Sequence, residues 1–276
     1  MANKAIDPTD GLPASIVGPW AAEKHERLRK YIDAYRAARA KFLPPRGEGG
    51  AAYIELYSGA GRSQIEDTNE FVDGSPLVAF KAARVSRTGF SDLHFNDIDE
   101  ENIAALRQRI ASLGGAAHYY SEPAEKAVDR IIYALNPAGL HFAFLDPYNL
   151  EHLPFSVIER LAKLPRMDML IHVSTFDLQR NLRRYLDQNG GTLDAFMPGW
   201  RNRVDAGRKD EDVRADLLRY WLGSIRSLGT SPAEGIELVS ATRGQRLYWL
   251  VFVSAHELGR RLWDDIRNIH VQGRLL

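Results

Sequence analysis

The sequence contains no cysteine, and this absence excludes several kinds of site. Disulfides, thiolate zinc sites, iron–sulfur clusters ligated by this chain and cysteine nucleophiles are all ruled out. Long apolar runs are missing as well, because the run at residues 247–253 is far shorter than the ~20 residues that cross a bilayer. Residues 1–8 have no apolar core of the signal-peptide kind. We therefore expect a cytoplasmic protein without a membrane segment.

Net charge is also missing, since 36 basic residues balance 36 acidic ones. The protein therefore has no overall electrostatic attraction to nucleic acid or membrane, although basic residues could still cluster on one face. The eight histidines are scattered without the spacing of metal ligands, so the sequence predicts no metal site. With 45% apolar and 26% charged residues, the composition is that of a globular protein.

The first 50 residues differ in character from the rest. Proline and glycine interrupt the first 19 residues, which predicts no regular element there. Apolar residues at helical spacing predict a helix over residues 20–42, and a Pro/Gly-rich linker follows at residues 44–50. We predict that residues 1–50 form an N-terminal extension whose helix packs on the core formed by residues 51–276.

After the linker, strands and helices alternate. Five apolar segments predict strands, at residues 52–57, 93–97, 116–121, 141–145 and 169–173. Such alternation is typical of an α/β fold with a parallel sheet and helices on both faces.

The end of the chain departs from this alternation. Two more strand candidates, residues 236–241 and 247–253, are separated by only five residues, too few for a parallel crossover. A mostly parallel sheet closed by an antiparallel C-terminal hairpin strand is typical of Rossmann-like class I methyltransferases, which use S-adenosylmethionine. Residues 176–229 fit no strand and are interpreted as a helical insertion after strand five.

A glycine turn follows the first of these strands. Two glycines, Gly59 and Gly61, would let the backbone approach a ligand closely. Glu55 lies four residues ahead of Gly59, the place of the acid in the methyltransferase turn, and Tyr57 and Ser58 stand between them. The turn is therefore a candidate cofactor site. An ordinary βα turn is the alternative.

An acid ends the second predicted strand. Asp97 could accept the ribose hydroxyls of an adenosyl ligand, with Ile98 beside it. Asp97 lies farther along the sequence from the glycine turn than is usual for such an acid. We interpret residues 64–76 as an added loop that accounts for the extra length. Glu122 and Pro123 would border the adenine. In the alternative, Asp97 merely caps a helix.

The fourth predicted strand ends in Asp146, Pro147 and Tyr148. Methyltransferases acting on amino groups carry an Asp/Asn-Pro-Pro-Tyr/Phe motif here, which binds the target NH₂ and stacks an aromatic ring on a base. This chain has one proline, so the match is partial, and a strand-terminating turn is the alternative. Arginine clusters, as at Arg183 and Arg184, suit a phosphate path or, alternatively, solvated helix faces.

Several segments together resemble the three-Cys-motif partner (TcmP) family. The segments that carry the resemblance, over about residues 20–185, are Glu23-Lys24-His25, Leu28, Lys30-Tyr31, residues 53–62, 74–79 and 95–99, Phe144-Leu145-Asp146-Pro147-Tyr148, and Arg180-Asn181. Family members commonly have Phe-Ala-Gly-Pro-Gly where this chain has residues 57–61, and a glycine where it has Asn149.

The resemblance implies a Rossmann-type methyltransferase fold and a separate partner protein with a three-cysteine, radical-SAM-like motif. Together with the motifs, it leads us to expect methyl transfer from S-adenosylmethionine to a nitrogen or oxygen acceptor, such as a nucleobase or nucleic acid. The alternative is a catalytically inactive methyltransferase-like partner or regulator of the three-Cys-motif protein. Nucleotide-dependent hydrolysis on the same sheet is a weaker option.

Overall fold

Strands and helices alternate along the computed structural model, which describes residues 4–85, 88–233, 237–240 and 246–272. The strands are β1 Lys4–Ile6, β2 Pro13–Val17, β3 Ala51–Glu55, β4 Arg62–Ile65, β5 Phe71–Asp73, β6 Asp92–Asn96, β7 His118–Tyr120, β8 Leu140–Leu145, β9 Met167–Ser174, β10 Ser231–Pro232, β11 Glu237–Ser240 and β12 Arg246–Ser254. The helices are α1 Ala21–Ala34, α2 Arg36–Arg39, α3 Ser75–Val85, α4 Glu100–Ser112, α5 Ala124–Ala134, α6 Phe155–Ala162, α7 Thr175–Asp187, α8 Thr192–Phe196, α9 Asp210–Ser227 and α10 Glu257–Gln272, with two 3₁₀ turns at Leu150–His152 and Trp200–Asn202.

The chain folds into two compact units. The first comprises Met1–Phe144 and Leu262–Leu276, and the second comprises Leu145–Arg261. None of the helices in the described ranges is both long and apolar enough to span a bilayer.

The first unit is built on four parallel strands in the order β8-β3-β6-β7. Tyr53 and Phe142, on neighbouring strands, place their rings 5.8 Å apart on one face of this sheet. Tyr31 of α1 lies 4.8 Å from Phe142, and Trp263 of α10 lies 6.2 Å from Tyr31. All four side chains are buried, so an aromatic cluster covers this face of the sheet.

A second, smaller sheet has the order β1-β2-β4-β5. The predictions that the first 19 residues are irregular and that residues 64–76 form a loop are therefore wrong. Proline is tolerated because Pro13 is the first residue of β2, and Gly11, at φ 71°, closes the preceding turn. In β4 the buried Ser63 and Ile65 alternate with more exposed residues, as expected for a strand. The segment is too short and too polar for this alternation to be recognised from the sequence.

The second unit carries the C-terminal strands. β12 is antiparallel to β9, β10 and β11, as predicted for the hairpin. Residues 236 and 241, the predicted ends of the first hairpin strand, and the turn residues 242–245 lie outside the described residues. Helices α7, α8 and α9 occupy most of the segment between β9 and β10, and they bury Phe196, Trp200 and Trp221.

Candidate functional site

The glycine turn after β3 has the backbone conformation that its residues predict. Gly59 and Gly61 have φ values of 58° and 83°, in the left-handed region that favours glycine. A Cβ atom on Gly61 would lie 2.7 Å from Leu106, so packing against α4 also requires glycine there. Among the described residues, a Cβ atom on Gly59 would meet only Ser15 Oγ, at 3.4 Å. The turn therefore leaves space above Gly59.

Asp97 lies against this turn. The backbone N–H of Gly59 donates to Asp97 Oδ2 at 2.8 Å. The other oxygen, Oδ1, accepts from the Asp99 backbone N–H at 2.9 Å and from Asn102 Nδ2 at 3.1 Å. Since a carboxylate has about four acceptor positions, these three donors leave about one for a ligand. The structure thus brings together two residues predicted from separate motifs, 38 positions apart.

Asn96, which the sequence analysis did not select, connects three strand ends. Its buried Nδ2 donates to the carbonyl oxygens of Leu56 at 2.9 Å and Glu122 at 3.1 Å, and its Oδ1 accepts from Glu122 N at 3.3 Å. Its own carbonyl oxygen accepts from Ser58 N at 2.9 Å. The sequence signal that could have identified Asn96 is a carboxamide at the end of an apolar strand, because a buried amide needs hydrogen-bond partners.

Glu55, predicted to face the cofactor, is fully buried. Its oxygens accept from Tyr53 Oη at 2.9 Å and from the Ser75 hydroxyl. Ser75 is the first residue of α3, so Glu55 ties that helix to β3. Tyr57, next in the turn, is partly buried, and burial raises the pKa of its phenol.

Glu122 and Pro123, which were predicted to border the adenine, follow β7, and Ile98, another predicted cofactor residue, follows β6. Ile98 exposes 69% of its surface, an unusual amount for an isoleucine. Glu122 forms an ion pair with Arg130 at 3.0 Å, and Pro123 immediately precedes α5. The Asp97 backbone N–H donates to the Tyr120 carbonyl oxygen at 3.4 Å. The structure therefore gathers the predicted cofactor residues that end β3, β6 and β7.

The N-terminal segment also reaches the glycine turn, which the sequence analysis missed. Arg109 of α4 is buried and donates to the carbonyl oxygens of Ala60 and Pro13, each at 2.7 Å. The same guanidinium pairs with both oxygens of Asp10, at 2.7 and 2.9 Å. Lys4 Nζ lies 2.6 Å from Asp99, whose pKa is lowered by this contact. One arginine therefore links the turn to the chain before α1.

Asp146, Pro147 and Tyr148, the predicted acceptor residues, lie in the second unit. Asp146 Oδ1 is 3.4 Å from His172 Nδ1, and the His172 ring packs 4.4 Å from Tyr248. His172 was not selected from the sequence, and its partner Asp146 lies 26 positions away. Tyr148 exposes 79% of its surface.

Two arginines of the second unit, Arg183 from the predicted cluster and Arg201, are engaged within the protein. Arg183 pairs with Asp210 and also donates to the Ala206 carbonyl oxygen at 3.0 Å. Arg201 pairs with Asp194 at 3.1 Å and donates to the Leu186 carbonyl oxygen at 2.9 Å. These two arginines hold loops of the second unit.

A cleft of about 450 Å³ in the second unit has a different set of arginines. It is lined by residues of α7, α9 and β12, among them Gln179, Arg214, Arg219, Arg226 and Trp249. Arg219 pairs with Asp216, whereas neither Arg214 nor Arg226 forms an ion pair with a described residue. The cleft therefore offers two arginines without an ion-pair partner among the described residues, together with the Glu211 carboxylate and the Trp249 ring.

No protein-family model and no curated protein matches this chain. Solved structures do match. The Legionella pneumophila protein LPL1258 is 10% identical, with a TM-score of 0.50 over 86% of this chain and 89% of that one. The putative methyltransferase yhhF from Escherichia coli is 12% identical, with a TM-score of 0.42 over 89% and 94% of the two chains. An S-adenosylmethionine-dependent methyltransferase from Clostridium acetobutylicum is 10% identical, with a TM-score of 0.38 over 82% and 91%.

The chain has a mixed α/β fold with a mostly parallel central sheet and an antiparallel C-terminal strand. Its mostly parallel central sheet with flanking helices confirms the predicted fold class. At these identities the likeness concerns the fold alone, and function has to be argued from the site.

Proposed function

We propose that this protein transfers a methyl group from S-adenosylmethionine to a nitrogen or oxygen atom of an acceptor. The observation that carries the proposal is the hydrogen bond from Gly59 N to Asp97 Oδ2, because it joins a glycine turn to an acid at the ends of β3 and β6. In Rossmann-like folds, ligands bind beyond the carboxyl ends of the strands. An adenosyl cofactor needs both features, a close backbone approach and a carboxylate for the ribose.

The residues present fit this cofactor. Gly59 and Gly61 would border its methionine part. The space for it lies above Gly59, where a Cβ atom would be near no described atom except Ser15 Oγ. Asp97 would accept a ribose hydroxyl at its remaining acceptor position. Ile98, Glu122 and Pro123 would border the adenine, where the exposed Ile98 side chain offers an apolar surface to the purine.

When bound, the cofactor supplies a methyl group already activated by the sulfonium, so the protein's task is mostly positioning. Asp146 would accept a hydrogen bond from the acceptor N–H or O–H and stabilise the positive charge that develops on the acceptor atom. His172, 3.4 Å from Asp146, would orient that carboxylate as a positioning residue. Pro147 limits the backbone freedom between Asp146 and Tyr148.

A nucleobase or nucleic acid is the acceptor that we propose. The highly exposed Tyr148 ring is free to stack on a base. In the cleft of the second unit, Arg214 and Arg226 would bind phosphate groups, and Trp249 would contact a base or sugar.

The second candidate function is that of an inactive methyltransferase-like partner of a three-Cys-motif protein. Two observations favour it. Three of about four acceptor positions on Asp97 are already used within the protein. Asn149, where the three-Cys-motif partner family commonly has glycine, caps the 3₁₀ turn that follows Tyr148.

Calorimetric titration with S-adenosylmethionine and S-adenosylhomocysteine, with NAD and ATP as comparison ligands, tests the proposal. We expect binding of the two adenosyl sulfur compounds, its loss in Asp97→Ala, and no change in Glu66→Ala, an exposed acid in the small sheet's β4–β5 turn. A tritiated methyl donor with pooled RNA, DNA and cell-extract acceptors then separates the candidates. Binding without transfer to any pool favours the inactive partner, and preferential binding of NAD or ATP contradicts both.

A further inference from the structure

Three potential metal ligands meet at the edge of the parallel sheet in the first unit. Asp92 and His94 are two positions apart on β6 and therefore point to the same face. His118 of β7 is the register partner of His94, so its side chain lies on that face too. One ligand atom from each of Asp92, His94 and His118 lies within 4.8 Å of the other two.

We propose that Asp92, His94 and His118 bind a divalent transition-metal ion of the zinc type. Two imidazoles and a carboxylate are ligands that Zn²⁺ prefers, whereas Mg²⁺ prefers oxygen alone. Zinc bonds of about 2.0–2.1 Å in tetrahedral geometry place ligand atoms roughly 3.3 Å apart, so the cluster must contract by roughly 1.5 Å at most. Asp92 and His118 are exposed. Asp92 Oδ2 accepts from the Ser91 hydroxyl at 2.8 Å, a surface hydrogen bond that water can replace when the carboxylate turns to the ion, and water would complete the coordination.

His94 forms the rigid base of the cluster. It is buried, and its Nδ1 lies 3.1 Å from Tyr120 Oη. Such an outer partner fixes the imidazole orientation, as is usual for metal-binding histidines. The His94 and His118 rings are stacked, 4.7 Å between centroids.

The proposed ion would join β6 to β7, the short strand at the sheet edge. The cluster is separate from the glycine turn, because Asp92 begins β6 whereas Asp97 follows its end, about 16 Å away at 3.3 Å per residue. The function of the ion would therefore be to hold β7, and with it Tyr120 and Glu122, in place. The interpretation of the histidines as scattered missed this cluster, since only the register of two strands brings His94 and His118 together.

The test uses the full chain without a histidine tag, stripped of metal with a chelator and titrated calorimetrically with ZnCl₂ and, separately, MgCl₂. We expect one Zn²⁺ per chain, no Mg²⁺ binding, and loss of the zinc site in His118→Ala and in Asp92→Asn. Both positions are exposed, so these variants should fold. His256→Ala, a matched exposed histidine in the second unit, should bind zinc like the parent chain.

Tyr120→Phe removes the hydroxyl beside His94 and should weaken zinc binding by about tenfold to a hundredfold. Replacing Zn²⁺ with Co²⁺ should give the visible absorption of a tetrahedral ion in the parent chain and not in His118→Ala. The proposal is overturned if the parent chain binds no zinc, or if His118→Ala and His256→Ala bind it equally.

Discussion

Asp146 Oδ1 lies 3.4 Å from His172 Nδ1, so the carboxylate that follows β8 is in contact with an imidazole of β9 within the same unit. The contact places a potential cation beside the Asp146 carboxylate. It therefore gives Asp146 a packing role as well as a candidate role in acceptor binding. An experiment on Asp146 therefore has to separate chemistry from stability.

The first prediction concerns Asp146→Ala. If the carboxylate stabilises positive charge on the acceptor atom, its loss should lower kcat by about a hundredfold or more, with little change in cofactor affinity. Asp146→Asn should be milder, because the amide oxygen still accepts a hydrogen bond. Turnover is measured with a tritiated methyl donor at equal concentrations of folded protein.

His172→Phe is the control for this prediction, since it removes the contact but leaves Asp146 in the chain. A small loss of turnover in His172→Phe beside a large one in Asp146→Ala supports the acceptor role. Equal losses of stability in both variants, with unchanged turnover, would make Asp146 purely structural.

The second prediction concerns Asp97. Asp97→Ala should abolish S-adenosylmethionine binding, because the ribose acceptor and the anchor of Gly59 are lost together. Asn102→Ala removes one of the three hydrogen bonds to Asp97 but keeps the carboxylate. We expect Asn102→Ala to retain cofactor binding with no more than about a hundredfold loss of affinity, since one hydrogen bond to a charged group contributes about 1.5–3 kcal/mol.

Calorimetry gives the affinities of both variants, and circular dichroism shows whether they are folded. Unchanged affinity in a folded Asp97→Ala would place the ribose contact elsewhere.

The third prediction concerns acid stability. Burial alone would raise the pKa of Asp7, but hydrogen bonds from Thr9 and Arg62 outweigh it and lower the pKa from 3.8 to about 2. The stabilisation from the ionised Asp7 is therefore complete above about pH 4 and is lost as the pH falls from about 4 to about 2. This difference between the pKa values of Asp7 in the folded and unfolded chain corresponds to about 2 kcal/mol in the free energy of unfolding.

Asp7→Asn should consequently flatten the loss of stability across that pH range, measured by urea unfolding at successive pH values. Asp205→Asn, at a site exposed in the second unit, should leave the pH dependence unchanged. An identical pH dependence in Asp7→Asn and the parent chain would contradict the assignment.

The fourth prediction concerns the cleft of the second unit. The double variant Arg214→Ala and Arg226→Ala should raise the KM for a nucleic-acid acceptor and reduce the salt dependence of its binding, because phosphate contacts release counterions. Cofactor affinity should not change. Arg208→Ala is the matched control, since Arg208 is engaged by Asp212 and Asp216. A similar KM in the double variant and the control would remove the cleft from the acceptor site.

The regular part of the fold could be predicted because its signals are local. Apolar segments and the acid-rich start of α4 predict β3, β6, β8 and α4, and the five-residue spacing predicts the antiparallel hairpin. The small sheet could not be predicted, because its strands have three to five residues and pair with distant segments, as β2 does with β4. Polar short strands give no periodic signal long enough to recognise.

The candidate site shows the same division between local and distant signals. Gly59 and Asp97 were predicted because each belongs to a local motif. Asn96, Arg109 and His172 were not, because their partners are distant in the sequence or, for His172, lie across a strand pair. Arg109 is the clearest example, since the carbonyl oxygens of Ala60 and Pro13 that it contacts are 49 and 96 positions away.

The contacts of Arg109 determine how the chain can be shortened. A fragment that starts at residue 20 would contain α1 and the glycine turn but would lack Asp10, the carboxylate that neutralises this buried guanidinium. Leaving a buried charge unpaired costs about 3–5 kcal/mol, a large part of the stability of an ordinary domain. A ligand screen on such a fragment would then measure binding to a weakened turn, and a negative result would not apply to the chain that includes residues 1–19.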